Sequence, residues 1–109
     1  MNTIEDLTFG ANKAHLAVEN KDFEFLKTCD TQLFMAKDRD GETPLHYAAV
    51  NDDLEICKLL IERNPDIVNI TDIENKTAYD WCLEYYNEHT SHTKIIKLLV
   101  AYVDVFVFD

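Results

Sequence analysis

Apolar residues recur along the chain with a helical period, in short blocks separated by polar turns. The clearest block is LEICKLLIER at 54–63, whose leucine, isoleucine and cysteine positions form one broad apolar face of a helix. Asp53 precedes it as a predicted N-cap, because its carboxylate can accept hydrogen bonds from unpaired N–H groups of the first turn. Asn64 is predicted to be a left-handed C-terminal cap, and Pro65 follows where the helix cannot continue.

A shorter helix is predicted over TPLHYAA, residues 43–49. Thr43 can cap it through its hydroxyl, and Pro44 suits the first helical position because its missing N–H would be unpaired there anyway. The preceding DRDG, residues 38–41, has Asp at the first position and Gly41 at the fourth position of a type I turn. A turn, a helix start and small apolar residues therefore follow one another closely.

This arrangement recurs along the chain. Asp72, Asn75 and Thr77 repeat the pattern of 38–43 after 34 residues, with Asn75 replacing a glycine at a position that tolerates positive φ. Upstream, AHLAVENKDFEFL at 14–26 matches LHYAAVNDDLEIC at 45–57. Downstream, TKIIKLLVAY at 93–102 repeats the longer helix, with five extra residues around 87–93. A period in this range indicates a repeat architecture.

The repeated unit resembles the ankyrin repeat over residues 11–102: a turn, a helix opening with TPLH, a second helix and a returning loop. The resemblance implies an all-α solenoid of stacked helix-turn-helix units with short hairpin-like turns. We expect one domain over 1–109, with units at about 8–37, 38–71 and 72–102. The family's helical glycine positions hold Asp52 and Asn64 here, which both tolerate left-handed backbone. Asp80 replaces the family's histidine in the third unit.

The resemblance also implies a protein-interaction module with a rigid concave surface. Gly41, Thr43, Pro44 and His46 would be structural, with His46 bonding the threonine and neighbouring backbone. Tyr47 and Trp81 share one repeat position, for which we expect a core role. The family's variable contact positions correspond here to Arg39, Asp40, Glu42, Val50, Asn51, Ile73, Glu74, Lys76, Glu84 and Tyr85. Ile73 and Tyr85 stand out, because large anchors dominate interface energies.

The net charge of −11 narrows the class of partner. A nucleic-acid binder needs lysine and arginine to neutralise phosphates, and an anionic membrane surface would repel this chain for the same reason. A protein partner with a neutral or basic contact surface is favoured. The N-terminal MNTIEDLTFG carries Glu5 and Asp6, which argues against a secretory signal, so we expect a cytoplasmic or nuclear location.

Catalytic, cofactor and metal sites find little support in the residues. Cys29, Cys57 and Cys82 are widely spaced, and buried, inert thiols are expected for the latter two. His89 and His92, with Glu88 as a third ligand, could hold a metal or support hydrolysis, but a solvated loop is the favoured interpretation. We predict neither enzymatic activity nor a cofactor.

Two further expectations concern the chain as a whole. One alternative is that these repeats are the regulatory module of a larger enzyme or of a lipid-carrier protein. The other concerns the apolar tail at 103–109, whose β-branched and aromatic residues favour an extended strand over a helix. An unpaired apolar strand promotes association, so weak self-association through 103–108 is expected.

Overall fold

The computed structural model describes residues 12–85 and 92–107, with side chains described as far as residue 102. Every regular element in these ranges is a helix, which confirms the all-α prediction. The first helices of three successive pairs are α1 (Lys13–Asn20), α3 (Pro44–Val50) and α5 (Ala78–Tyr85). The second helices are α2 (Phe23–Thr28), α4 (Leu54–Arg63) and α6 (His92–Val107), and 3₁₀ helices at Thr31–Met35 and Pro65–Asn69 follow α2 and α4.

Each described hairpin within a pair turns on a left-handed residue. Asp52, between α3 and α4, has a φ of 59°, as the sequence predicted. Lys21 has a φ of 56° at the equivalent point between α1 and α2. The sequence did not predict this conformation, because lysine is not among the residues that favour left-handed backbone. The Lys21 ammonium also lies 2.7 Å from the carboxylate of Asp53, which links the first two units across exposed surface.

The end of α4 differs from the prediction. Asn64 has φ −153° and ψ 85°, so it is not a left-handed cap. The proline that follows explains the difference, because the Pro65 ring clashes with a helical conformation of the preceding residue and favours an extended one. Asn64 still ends the helix by donating its N–H to the Leu60 carbonyl, and the chain then enters the 3₁₀ helix Pro65–Asn69.

A continuous apolar core joins the three units, since α3 packs against both α1 and α5. Ala17, Ala48 and Cys82 occupy equivalent positions in these helices and are all buried, and small side chains there let the helices approach closely. Cys57 and Cys82 are buried as predicted, and burial raises the pKa of both thiols, that of Cys82 to about 12. Both thiols are therefore uncharged packing groups at neutral pH.

Histidines tie each unit to the next. In His46, Nδ1 accepts from the Thr43 N–H at 3.1 Å, which leaves the proton on Nε2 to donate to the Lys76 carbonyl at 3.0 Å. His15 makes the equivalent pair of contacts, to the Asn12 N–H at 3.0 Å and the Glu42 carbonyl at 2.8 Å. Burial lowers the pKa of both imidazoles, so both are neutral at pH 7. The structural roles predicted for Thr43 and His46 are consistent with these contacts.

In the third unit Asp80 occupies the repeat position of His15 and His46, and it makes different contacts. The Asp80 carboxylate accepts from the Thr77 N–H at 3.0 Å, and the Asp80 N–H donates to the Thr77 hydroxyl at 3.2 Å. Both bonds lie at the start of one helix. The carboxylate therefore caps its own unit, and none of its described hydrogen bonds crosses to another unit.

The expectation of an extended tail is wrong for the described part of it. Helix α6 runs without interruption from His92 to Val107, five residues beyond the predicted end at Tyr102. The apolar face of α6, with Ile95 and Leu99 buried in the core, anchors the helix. Elongation from an established helix then outweighs the modest strand preference of the residues that follow. The expected insertion at 87–93 lies largely outside the described residues.

Candidate protein-binding surface

The turns that precede α3 and α5 are built alike around an aspartate. Asp38 Oδ1 accepts from the N–H groups of Asp40 and Glu42, both at 2.9 Å. Its carbonyl accepts from the Gly41 N–H at 3.0 Å, which closes the predicted turn. In the next unit Asp72 makes the corresponding bonds, and its carbonyl accepts from the Asn75 N–H at 2.9 Å. The side chains at the tips of both turns are thus held on a defined backbone.

The two tips are bonded directly to each other. The Ile73 N–H donates to the Asp40 carbonyl at 3.1 Å. Gly41, with a φ of 80°, allows this approach, because a Cβ there would lie only 2.7 Å from the Ile73 nitrogen. Gly41 is thus required by both its backbone conformation and its neighbour. The Ile73 side chain is 72% exposed, although it is large and apolar.

Tyr47 and Trp81 are half-buried, whereas the sequence favoured a core role for both. Each binds the turn aspartate of its own unit: the Tyr47 hydroxyl donates to Asp38 Oδ2 at 2.5 Å, and the Trp81 indole N–H donates to Asp72 Oδ2 at 2.7 Å. An aromatic ring with a polar tip can pack on the core at one edge and satisfy a donor at the other. The same bond fixes the ring and braces the turn.

A groove runs across the first helices beside these rings. Its cavity volume is about 250 Å³. Four of the predicted contact residues line it, and four further residues join them. The full lining is Glu19, Glu42, His46, Tyr47, Val50, Asn51, Trp81 and Tyr85. Tyr85 is 44% exposed.

Glu19 also lines the groove, although it was not among the contact residues predicted from the sequence. Helix α1 aligns with α3 at a spacing of 31 residues, so Glu19 occupies the repeat position of Val50. The same contact position in the first unit would therefore have indicated Glu19. The Asn51 side-chain N–H donates to Glu19 Oε2 at 3.1 Å, which links the two units along the groove wall.

The remaining predicted contact residues lie at the turn tips or beside the groove. Arg39, Asp40 and Glu74 are exposed on the tips. Lys76 is half-buried: its ammonium forms a close ion pair with Glu84 and sits 4.5 Å from the centroid of the Trp81 ring. Lys76 and Glu84 therefore bind each other as well as forming part of the surface.

The carboxyl groups of Glu42 and Asp72 form a hydrogen-bonded pair between the second and third units. Burial, the bond to Asp72 and the charges of Asp72, Asp38 and Asp40 raise the pKa of Glu42 to about 8. Burial alone would raise the pKa of Asp72, but hydrogen bonds from Glu42, Trp81 and backbone N–H groups lower it to about 2. The shared proton therefore stays on Glu42 at neutral pH.

Candidate metal ligands do not form a usable set around this pair. The oxygens of Glu42 and Asp72 and a ring nitrogen of His46 lie within 4.8 Å of one another. Both nitrogens of His46 are already hydrogen-bonded, one to Thr43 and the other to Lys76, so His46 cannot bind a metal without breaking one of these bonds.

The metal ligands weighed as an alternative from the sequence are other residues, and two of them, His89 and Glu88, fall outside the described residues. His92 is buried at the start of α6, with Nε2 at 3.4 Å from the Val50 carbonyl.

The opposite side of the molecule offers a contrasting surface. Residues of the second helices α2 and α4 line a shallow hollow in which acidic and basic groups alternate. These residues are Phe23, Lys27, Glu55, Lys58, Leu59 and Glu62.

No helix in the described ranges is long and apolar enough to cross a membrane.

Helix pairs stacked on a shared core, with turns that project from one edge and bond to each other, define a repeat solenoid. The chain belongs to the ankyrin-repeat family: the family model for ankyrin repeats, in three copies, matches residues 14–109. Ankyrin repeats are generally protein–protein interaction modules, and the family is typically non-enzymatic. No curated protein matches the chain.

Proposed function

We propose that the chain binds a protein partner through its first-helix face, meaning the surface of α1, α3 and α5 together with the turn tips at 39–42 and 73–76. The exposure of Ile73 on a braced tip is the observation that carries this proposal. Its side chain is large, aliphatic and 72% exposed, so covering it with a partner would contribute favourably to the free energy of binding. Tyr85 adds an exposed aromatic anchor at the far side of the same face.

The face is prepared for binding because its parts are held before any partner arrives. The tips are joined through Ile73 and Asp40, and the rings of Tyr47 and Trp81 are fixed by aspartates. Little conformational entropy would be lost on association, which leaves more of the contact energy as affinity. The acidic groups Asp40 and Glu74 at the tips favour a partner that is neutral or basic at its contact surface.

Affinity capture with matched variants tests this proposal. The wild-type chain, Ile73→Ser, Tyr85→Ala and the control Lys58→Ala would each be immobilised and exposed to the same cell extract. Lys58 is exposed on α4, on the opposite side, so its loss leaves the first-helix face intact. Proteins retained by the wild type and by Lys58→Ala but lost from both face variants would support the proposal. Retention by all four chains would contradict it.

A further inference from the structure

We propose that the groove beside Tyr47 and Trp81 receives an arginine side chain of the partner, with its guanidinium against the aromatic rings and its N–H groups on the carboxyl groups of Glu19 and Glu42. This inference rests on the proposed function and names the chemistry that the partner presents. The occupant is a positively charged side chain on a protein segment.

The size of the groove fits one long side chain. Pockets for drug-sized ligands occupy roughly 300–1,000 Å³, and this groove, at about 250 Å³, falls below that range. Three aromatic rings form its apolar walls, those of Tyr47, Trp81 and Tyr85. A narrow groove with aromatic walls suits a flat group at the end of a flexible stem.

The charge of the groove is not balanced from within. Glu19 and Glu42 supply carboxyl groups, of which that of Glu42 is protonated at neutral pH, and no lysine or arginine is among the described residues that line the groove. Lys76, beside the groove, is already paired with Glu84 and lies over Trp81. The ammonium over the Trp81 ring shows that this ring can stabilise a cation. A cation from outside would complete the groove electrostatically.

Arginine fits this lining better than lysine. Its planar guanidinium stacks on aromatic rings, is more weakly hydrated than an ammonium group and presents five N–H donors in a fixed fork. Glu19 uses one oxygen for the Asn51 amide, and a carboxylate can accept several further hydrogen bonds. A fork that spans two carboxyl groups uses donors that a lysine ammonium cannot place in one plane.

Binding of a cation would also displace a proton. Glu42 is faced by Asp72, Asp38 and Asp40 from the turns, by Glu19 across the groove, and by the neutral imidazoles of His15 and His46.

Burial, the bond to Asp72 and the charges of Asp72, Asp38 and Asp40 raise the pKa of Glu42 to about 8, and a guanidinium beside it favours the carboxylate. Arginine should therefore bind more tightly as the pH rises through 8. Neither histidine reverses this trend, because both are already neutral in that range, and a raised pKa keeps the Tyr47 hydroxyl protonated.

The single tryptophan of the chain provides a direct probe, since Trp81 lines the groove and its indole N–H, bonded to Asp72, reports changes around the ring. The full chain, labelled with ¹⁵N, would be titrated with acetyl-Gly-Ser-Arg-Ser-Gly-amide and with the same peptide carrying citrulline or lysine in place of arginine. Citrulline keeps the planar shape and loses the charge. We expect a saturable shift of the Trp81 indole signal with arginine, a weaker response with lysine and none with citrulline.

The pH dependence supplies a second readout. Affinity for the arginine peptide should rise roughly tenfold between about pH 6.5 and about pH 8.5. Glu42→Gln should bind more weakly and lose this dependence, whereas the control Glu55→Gln, on the opposite side, should retain both. Equal binding of arginine and citrulline, tighter binding of lysine, no binding, or a pH dependence that survives in Glu42→Gln would each overturn the inference. Capture of partners that depends on Ile73 and Tyr85, without any arginine response, would refute this inference and leave the proposed function standing.

Discussion

His46 Nε2 donates to the backbone carbonyl of Lys76, 3.0 Å away and 30 residues further along the chain. One buried side chain thereby holds the start of its own helix and the entry to the next unit. His46→Ala should lower the free energy of unfolding by about 1–3 kcal/mol, because polar backbone groups at the junction lose their partner. Chemical denaturation followed by circular dichroism measures this change.

Asp80→Ala is the matched control for that variant. Asp80 occupies the same repeat position, and its carboxylate caps only α5, so the substitution removes one side-chain hydrogen bond within one unit. We expect a smaller destabilisation than for His46→Ala. The junction role would be refuted if the two variants lost equal stability.

Gly41→Ala should cost more than about 2 kcal/mol. A left-handed conformation costs an alanine roughly 1–2 kcal/mol, and the added Cβ would also push against the Ile73 nitrogen and weaken its bond to the Asp40 carbonyl. Asn75→Ala, at a φ of 65° in the next turn, should cost only about 1 kcal/mol. Thermal and chemical unfolding of both variants test the difference. Equal losses would mean that the contact between the tips adds nothing.

The stability of the chain should depend on pH through Glu42. Its pKa is about 8 in the folded chain and 4.5 ordinarily, so the folded state binds the extra proton between these values. The resulting stabilisation is fully present below 4.5 and is lost as the pH rises towards 8. Glu42→Gln keeps a neutral side chain at every pH, so its stability relative to the wild type should rise from about pH 5 to about pH 9.

The two buried histidines and Asp72 change the stability with pH in the opposite direction to Glu42, and they do not obscure the comparison between the wild type and Glu42→Gln. The lowered pKa values of His15 and His46 give stability that is present above 6.5 and lost as the pH falls below it. Asp72, at about 2 against 3.8, gives stability that is lost between those values as the pH falls. The histidines are common to both proteins and cancel in the difference. A constant difference across the range would contradict the assignment of the proton to Glu42.

The acidic turn tips should set the rate of association with a basic partner. Asp40→Lys and Glu74→Lys reverse exposed charges, and charges at the rim of an interface change the association rate more than the dissociation rate. We expect slower association at low salt and convergence with the wild type at high salt. Surface plasmon resonance with a partner identified by capture measures both rates. Glu62→Lys, on α4, is the control, and an equal effect there would point to net charge alone.

The apolar tail remains a predicted site of weak self-association. Although α6 is helical to Val107, the residues at 103–108 are strongly apolar in sequence. Light scattering of the full chain at several concentrations should show a mass that grows with concentration, and truncation after Tyr102 should abolish the growth. A monomeric full chain that loses stability on truncation would show instead that the tail packs on its own core.

The sequence predicted most of the fold because each unit carries its own local signals. Caps, turn aspartates and the left-handed Asp52 and Asn75 depend on neighbours within a few residues. The errors have non-local or competing causes. Pro65 overrides the cap preference of Asn64, and a helix already anchored on the core continues through residues that prefer strands.

The sequence predicted half of the residues that line the groove. Glu42, Val50, Asn51 and Tyr85 lie at positions that could be carried over from the family pattern. Tyr47 and Trp81 were expected in the core because the ankyrin repeat is mostly apolar and packed at the position that they share. Their hydrogen bonds to aspartates nine residues upstream turn them partly outward, and only the folded turn brings those partners together.

The units of this chain are not interchangeable, because the histidine contact has a direction. A histidine at this position donates a hydrogen bond to the next unit, whereas the Asp80 carboxylate accepts one at the start of its own helix. Duplication of residues 38–71 would lengthen the stack with a histidine at every new seam. Duplication of 72–107 would place an aspartate at the new boundary between units, which would then lack the histidine hydrogen bond. An engineer who wishes to extend the array should therefore copy its middle.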